Sequence, residues 1–267
     1  MQVKTKKILK IGVVAFVVLS ATAFWIYAGY SFAGKNNTTD KNCLINNSLA
    51  TININGYITG YVLRATDGSE PKDMVSSDEV VACINKIAKD NGVKGLILRI
   101  DSGGGSPEAS EEIANAVKGL NKPTAAVIRE SGDSGAYLIA SSTNRIFASE
   151  FSDVGGIGVT DSYVDNAQKD IQDGLTFNQL SAGQFKDAGN PDKPLTEAEK
   201  TLYMRDVNIL YQDFVQKVAD NRKLSVDKVK QLADGSSMLG AQAKADGLID
   251  AIGDITSATA WLKNKIK

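Results

Sequence analysis

The residues best placed for chemistry are a serine and the glycines around it. Ser134 lies in the sequence ESGDSG (residues 130–135), between an apolar, β-branched run at 123–129 and a helical pattern at 136–142. A serine at a strand-to-helix turn has an exposed hydroxyl, and several hydrolase folds present a nucleophile in this way. Serine also commonly caps helices, so this stretch alone leaves both interpretations open.

The chain contains no histidine, which limits the base that could activate this serine. Mechanisms of the Ser-His-Asp and Cys-His types are excluded, as are most zinc and non-haem iron sites. We therefore expect no metal and no cofactor. The remaining candidate bases are a lysine or a carboxylate. A lysine base needs a pKa lowered from about 10.4 to near 7–8, which desolvation can supply. Lys186, between Phe185 and a glycine-containing loop, is a candidate, with a solvated loop residue as the alternative.

Glycine turns follow two of the apolar runs, at residues 103–105 and around Ser134. Backbone N–H groups from such turns can converge on the oxyanion of an acyl-transfer transition state. A phosphate cradle or a plain tight turn is the alternative. A Walker-type loop ends in Gly-Lys-Ser/Thr, and this ending is absent, which argues against phosphate binding.

The N-terminus has the pattern of a membrane anchor. Four lysines precede residues 11–34, which are 24 residues without a charge. As a helix this run would be about 36 Å long, enough to cross a hydrocarbon core of about 30 Å. A cleaved signal peptide is the alternative, but its apolar region is usually only about 7–15 residues. We expect a cytoplasmic basic tail (1–10), a transmembrane anchor (11–34), a polar linker (35–48) and an extracytoplasmic domain (49–267).

The charge and the cysteine content limit which partners and which cellular compartment are expected. Residues 1–35 hold five lysines and no acids, so the rest of the chain carries 25 positive against 31 negative charges. With no basic stripe left, nucleic acid is not an expected partner.

Cys43 and Cys83 are the only cysteines. An extracytoplasmic location would permit a disulfide, but two cysteines alone do not establish one.

The order of the remaining patterns predicts an α/β domain. Strand-like runs alternate with amphipathic helical patterns, and glycine turns follow the strands, as in βαβ units with helices on both faces of a sheet. Residues 175–180 are one further strand candidate, and a long helix is expected from 195 to about 221.

Several segments in the same order resemble the signal peptide peptidase (protease IV) family of membrane-anchored Ser-Lys peptidases. The similarity covers roughly residues 50–255 and is carried by INGYI (54–58), LRIDSGGG (98–105), SGAYLIA (134–140), GGIGV (155–159), SAGQFKD (181–187) and GAQAKADGLID (240–250).

The resemblance implies a fold, a mechanism and partners. The domain would be Clp-protease/crotonase-like, with Ser134 matching the nucleophile and Lys186 the general base. Backbone N–H groups at about Gly104 and Gly135 would form the oxyanion hole. Substrates would be apolar peptides, notably signal-peptide remnants in the bilayer, and the chains would form a membrane-bound ring in which serine and lysine can come from different subunits.

The chain departs from the family pattern near the proposed nucleophile. Asp133 precedes Ser134, Ala136 replaces a glycine, Gly103 replaces a proline, and Gly156 replaces a serine that usually helps to orient the lysine. An anion beside the site would raise the pKa of a lysine base, against the mechanism. One alternative is therefore a catalytically weak, anchored scaffold that binds peptides. A crotonase-type enzyme acting on coenzyme A thioesters is another, which an extracytoplasmic location disfavours.

Overall fold

The computed structural model describes residues 43–62 and 73–267. The predicted tail (1–10), the predicted anchor (11–34) and residues 35–42 of the predicted linker lie outside these ranges. Among the described residues, no helix combines the length and the apolar character needed to cross a bilayer.

The described part of the chain forms an α/β domain. Its strands are β1 (Cys43–Asn46), β2 (Leu49–Asn55), β3 (Tyr57–Thr59), β4 (Met74–Ser76), β5 (Gly95–Ser102), β6 (Thr124–Asp133), β7 (Arg145–Ala148), β8 (Asp153–Gly155), β9 (Ser237–Leu239) and β10 (Ala251–Ile252). Its helices are α1 (Ser77–Lys89), α2 (Pro107–Gly119), α3 (Gly135–Ser141), α4 (Ala167–Gln172), α5 (Glu197–Arg222), α6 (Val226–Leu232), α7 (Gly240–Ala245) and α8 (Ile255–Lys265).

The main sheet has the strand order β1-β2-β5-β6-β7-β10. Strands β2, β5, β6, β7 and β10 are mutually parallel, whereas the edge strand β1 is antiparallel to β2. The last residues of β6 also pair with β8, which pairs with β9. Parallel neighbours need crossover connections, which the helices supply. The predicted α/β fold built of βαβ units is confirmed.

The central strands are buried on both faces, which explains their nearly continuous apolar sequence. In β5, Leu96, Leu98 and Ile100 belong to the larger core beneath helices α1, α2 and α3. Ile97 faces the opposite side, in a smaller core with Leu262 of α8. Because both faces are covered, the register of β5 and β6 is well determined, and with it the position of the turns that follow them.

Strand β1 lies inside the segment predicted to be a polar linker, so the folded domain already includes Cys43. The strand is held by pairing with β2 and by a disulfide between Cys43 and Cys83 of α1, whose Cα atoms are 6.1 Å apart. The polar sequence around β1 is explained by its edge position, where most side chains are exposed to solvent.

Residues 175–180 are not a strand, although their composition favoured one. They lie in a largely exposed segment, residues 160–196, that we call the arm. No strand among the described residues pairs with 175–180, and Leu180 is 98% exposed. Strand propensity without a pairing partner does not suffice to form a strand.

Candidate active site

Ser134 forms a strained elbow between the end of β6 and the start of α3. Its backbone has φ 53° and ψ −127°, a conformation that costs a non-glycine residue of order 1–3 kcal/mol. Its N–H donates to the carbonyl of Gly155 at 2.8 Å, which anchors the elbow to the last residue of β8. Its side chain accepts no hydrogen bond from the helix, although the residue occupies the N-cap position. The capping interpretation is therefore wrong, and the hydroxyl makes no hydrogen bond within the described residues.

The elbow is packed against the glycine turn that follows β5. Because β5 and β6 are parallel neighbours, their carboxyl ends lie side by side. A Cβ on Gly104 would lie 2.8 Å from the Cβ of Ser134 and 2.9 Å from the nitrogen of Gly135. Gly104 also has φ +100°, which side chains rarely adopt. A glycine is required here because both the space and the backbone conformation exclude a side chain.

Two backbone N–H groups beside Ser134 remain free to bind an oxyanion. Gly135 and Gly105 donate no hydrogen bond to another described residue, and both line the pocket beside Ser134. Gly104, the residue expected from the sequence, donates its N–H to Ser102 Oγ at 3.0 Å. The carbonyl of Gly104 accepts a hydrogen bond from the N–H of Ile58 in β3, and the N–H of Ser106 donates one to the carbonyl of Ile58. The N–H of Gly105 belongs to the same peptide group as the Gly104 carbonyl and points the opposite way, so it faces away from β3. Gly105, rather than Gly104, is therefore the candidate for a second oxyanion donor.

A pocket of about 640 Å³ opens beside Ser134. Its wall is built from the turn after β5, the first residues of α2 and α3, the loop after β8 and the middle of α5. The apolar lining residues include Leu138, Val159, Leu210 and Phe214. Four carboxylates also line the pocket, those of Glu108, Glu111, Asp213 and Asp234. This combination of a hydroxyl without a hydrogen bond, free amides and a partly apolar pocket suits acyl transfer.

One lysine does line the pocket, but it is not suited to be a base. Lys217 of α5 bonds Glu111 at 2.5 Å and Asp213 at 2.6 Å. Burial lowers the pKa of Lys217, but the hydrogen bonds to these two carboxylates outweigh it and leave the pKa above its ordinary value. A lysine held in its charged form cannot accept the proton of a serine. Sequence reasoning missed Lys217, because no motif marks a lysine in the middle of a long helix.

Lys186 lies in a turn of the arm, exposed to solvent, and does not line the pocket beside Ser134. Its side chain forms no hydrogen bond or ion pair with another described residue. Within the described part of one chain, Lys186 is therefore not among the residues that line the pocket beside Ser134.

Asp133, the residue before the elbow, has an unusual environment. Its Oδ2 accepts a hydrogen bond from Ser131 Oγ at 2.6 Å, while Oδ1 is buried and has no hydrogen-bond partner among the described residues. Burial raises the pKa of Asp133 most strongly, the hydrogen bond from Ser131 lowers it, and the nearby charge of Asp153 raises it further, so that the net direction is upward.

Comparison with known proteins identifies the family. Residues 116–267 match the model of peptidase family S49, a span that includes the elbow, the arm and α5. The chain belongs to this family. The resemblance to signal peptide peptidases and protease IV is thereby confirmed.

Individual relatives carry protease names. A protein of Methanocaldococcus jannaschii named as a protease is 34% identical over 189 residues, which cover 70% of this chain and 61% of that protein. Protease 4 of Haemophilus influenzae is 31% identical over 79% of this chain and 34% of its own length. The chloroplast serine protease SPPA of Arabidopsis thaliana is 30% identical over 74% of this chain and 30% of its own length. The chain thus spans less than two thirds of each of these relatives.

Among solved structures, a ClpP1 mutant from Listeria monocytogenes superposes with a TM-score of 0.49 and 12% sequence identity. The superposition covers 78% of this chain and 93% of that chain.

Proposed function

We propose that the protein is a membrane-anchored serine endopeptidase in which Ser134 is the nucleophile and Lys186 the general base. The observation that carries the proposal is the strained elbow, which holds an unpaired hydroxyl beside two free amides and a partly apolar pocket. Ser134 Oγ attacks the scissile carbonyl while the neutral lysine takes its proton and then delivers it to the leaving amine. The N–H groups of Gly105 and Gly135 stabilise the oxyanion, and water hydrolyses the acyl-enzyme.

Lys186 would reach Ser134 from a neighbouring copy of the chain. The arm that carries Lys186 exposes several apolar side chains, among them Val164, Ile171, Leu175 and Leu180. Such a surface favours burial against another chain, which would also supply the desolvation that a neutral lysine needs. Repetition of one head-to-tail contact closes a ring, which is the assembly we propose.

The disulfide supports the proposed location outside the cytoplasm. Disulfides persist in oxidising compartments and are rare in the cytosol. In the sequence, Cys43 follows shortly after the predicted anchor at 11–34, and it forms the disulfide with Cys83. An anchored ring would hold its pockets at the outer membrane face, where apolar peptides such as signal-peptide remnants are available. In this proposal the domain keeps the Clp-protease/crotonase-like assignment.

The proposal is tested on the full-length protein in detergent with a quenched apolar peptide and a fluorophosphonate probe. Ser134→Ala and Lys186→Ala should each lower kcat by at least about 1,000-fold. Lys217→Ala is the matched lysine control and should stay within about tenfold of wild type, because Lys217 is held charged by its two carboxylates. Wild-type activity should rise from neutral to alkaline pH, because the proposed mechanism needs a neutral amine as the base. Full activity in both Ser134→Ala and Lys186→Ala would contradict the proposal.

A peptide-binding scaffold is the second candidate, favoured by the separation of Ser134 and Lys186 within one chain. It predicts that apolar peptides bind while the fluorophosphonate leaves Ser134 unlabelled. Labelling that disappears in Ser134→Ala would exclude it.

A further inference from the structure

The pocket beside Ser134 has a negatively charged lining. Its four carboxylates are those of Glu108, Glu111, Asp213 and Asp234. Lys217 is the single cation among the described residues that line it, so four negative charges stand against one positive charge. The pocket itself is recognised from Ser134 and the two free amides, independently of these charges. The carboxylates therefore indicate which substrates the pocket selects.

Lys217 balances only part of this charge, because two of the carboxylates already share it. Its ammonium donates to Glu111 of α2 at 2.5 Å and to Asp213 of α5 at 2.6 Å. One ammonium between two carboxylates leaves this trio with one negative charge.

The other two carboxylates, Glu108 and Asp234, form no ion pair with a described residue. Glu108 accepts a hydrogen bond from Ser106 Oγ at 3.0 Å, and Asp234 accepts two from Ser236, at 2.6 Å from Oγ and 2.9 Å from the N–H. The hydrogen bonds from Ser236 hold the pKa of Asp234 below its ordinary value, so this carboxylate stays charged at neutral pH. Both residues are exposed and can meet a ligand in the pocket.

The same pocket also has apolar side chains to offer. Leu138 of α3 and Phe214 of α5 line it, and each is only 7% exposed. A purely apolar peptide in the pocket leaves Glu108 and Asp234 without a cation. A peptide that also carries a lysine or an arginine supplies one, in a charge-assisted hydrogen bond.

We propose that the pocket selects peptides in which a lysine or arginine accompanies apolar side chains, and that Glu108 and Asp234 determine this selectivity. The inference rests on the proposed function, since it names the substrates of the same site. The apolar side chains pack on Leu138 and Phe214, and the ammonium or guanidinium group pairs with a carboxylate. Signal peptides have this composition, with a positively charged segment before an apolar one.

The size of the preference is limited by solvent. An exposed ion pair changes a binding constant by up to about fivefold, so a basic side chain should raise kcat/KM by roughly three- to tenfold. Salt screens such charges, because the Debye length falls from about 10 Å at 0.1 M to about 3 Å at 1 M. The preference should therefore shrink toward one in 1 M NaCl.

The test measures kcat/KM of the full-length wild type in detergent on matched apolar peptides. Lysine, glutamine or glutamate is placed in turn at each position near the scissile bond. At the position that enters the pocket, the lysine peptide should be cleaved about three- to tenfold better than the glutamine peptide, and the glutamate peptide worst. Each ratio compares two peptides on the same enzyme at the same pH, so the ionisation of the catalytic base cancels from it.

Removal of the two unpaired charges identifies the residues responsible. The double variant Glu108→Gln with Asp234→Asn should bring the lysine-to-glutamine ratio close to one, and the two single variants take its place if it does not fold. Glu197→Gln is the matched control and should keep the wild-type ratio. Glu197 begins α5 and lies about 20 Å along the helix from Leu210, beyond the range of an exposed charge.

Removal of the cation should act in the opposite direction. Lys217→Met leaves Glu111 and Asp213 without their partner, which makes the pocket more negative. The lysine-to-glutamine ratio should then rise above that of the wild type. A merely structural role of Lys217 would change the cleavage of both peptides equally and leave the ratio unchanged.

Fluorophosphonate labelling of Ser134 separates the two ways in which the experiment can fail. A ratio near one at every position, or a ratio that the neutral variants at Glu108 and Asp234 do not change, would overturn the selectivity while labelled Ser134 leaves the proposed function intact. A wild type that neither labels at Ser134 nor cleaves any of the peptides would overturn the proposed function, and this inference with it.

Discussion

Gly104 and Ser134 approach so closely that a Cβ on the glycine would lie 2.8 Å from the Cβ of the serine. The contact joins the turn after β5 to the turn after β6, and Gly105, Ser134 and Gly135 all line the same pocket. The geometry of the candidate site thus depends on a residue with no side chain.

Gly104→Ala should therefore damage the site strongly. The added methyl displaces Ser134, and misplacement of a reacting group by about 1 Å can cost about 100-fold in rate. We expect kcat to fall by at least this factor, together with a lower Tm. Gly103→Ala is the matched control, because a Cβ at Gly103 would meet nothing within 4 Å. Equal kinetics of Gly104→Ala and wild type would show that the close contact is not required.

The disulfide should make a large contribution to stability. It joins residues 40 positions apart, and closing a loop of this size stabilises a fold by about 4 kcal/mol in the chain-entropy model. Cys43→Ser and Cys83→Ser should each lower the free energy of unfolding by roughly this amount in urea titrations. The double variant should behave like either single variant, since all three lack the same bond. If dithiothreitol leaves the wild-type unfolding curve unchanged, the bond is not present in solution.

Complementation between inactive chains tests whether Ser134 and Lys186 come from different copies. Ser134→Ala and Lys186→Ala are each expected to be inactive alone. When the two variants are co-expressed at equal levels, a site is complete only where a chain with an intact serine lies next to a chain with an intact lysine. In a randomly assembled ring about a quarter of the sites meet this condition, so about a quarter of wild-type activity should return. If both residues belonged to the same chain, mixing would restore nothing.

The start of α5, next to the arm, should be sensitive to acid. The carboxylate of Glu199 accepts a hydrogen bond from Lys193 at 2.5 Å and another from the N–H of Thr196 at 2.8 Å. These bonds lower the pKa of Glu199 to about 2, and the bond from Lys193 contributes most. Because folding lowers the pKa of Glu199, its ionised carboxylate stabilises the folded state. This contribution is complete above the ordinary pKa of about 4.5 and is lost as the pH falls toward about 2.

Unfolding curves between pH 2 and 7 measure this contribution. Glu199→Gln should be less stable than wild type at neutral pH, and the difference should disappear toward pH 2. Glu197→Gln is the control, since Glu197 is exposed and its pair with Lys200 at 2.7 Å is a surface pair of little stabilising value. A difference between Glu199→Gln and wild type that stays constant down to pH 2 would contradict the assignment.

Local signals in the sequence were sufficient for the elements around the site. The long helix was predicted over residues 195–221 and is observed at Glu197–Arg222. Its start is fixed by a capping box between Thr196 and Glu199. The parallel core strands were recognisable from their unbroken apolar runs. The strand predicted at 175–180 was wrong, because strand formation depends on a partner that the local sequence does not specify.

By itself, the sequence determined the family, peptidase S49, and indicated the candidate nucleophile: a serine at a strand-to-helix turn in a chain with no histidine to activate it. Only the tertiary structure decided that Ser134 does not cap its helix, that Gly105 rather than Gly104 has the free N–H, and that Lys217 is paired while Lys186 is exposed. The physical reason is that motifs describe neighbours along the chain. Hydrogen-bond partners, burial and charge depend instead on which distant residues the sheet register brings together.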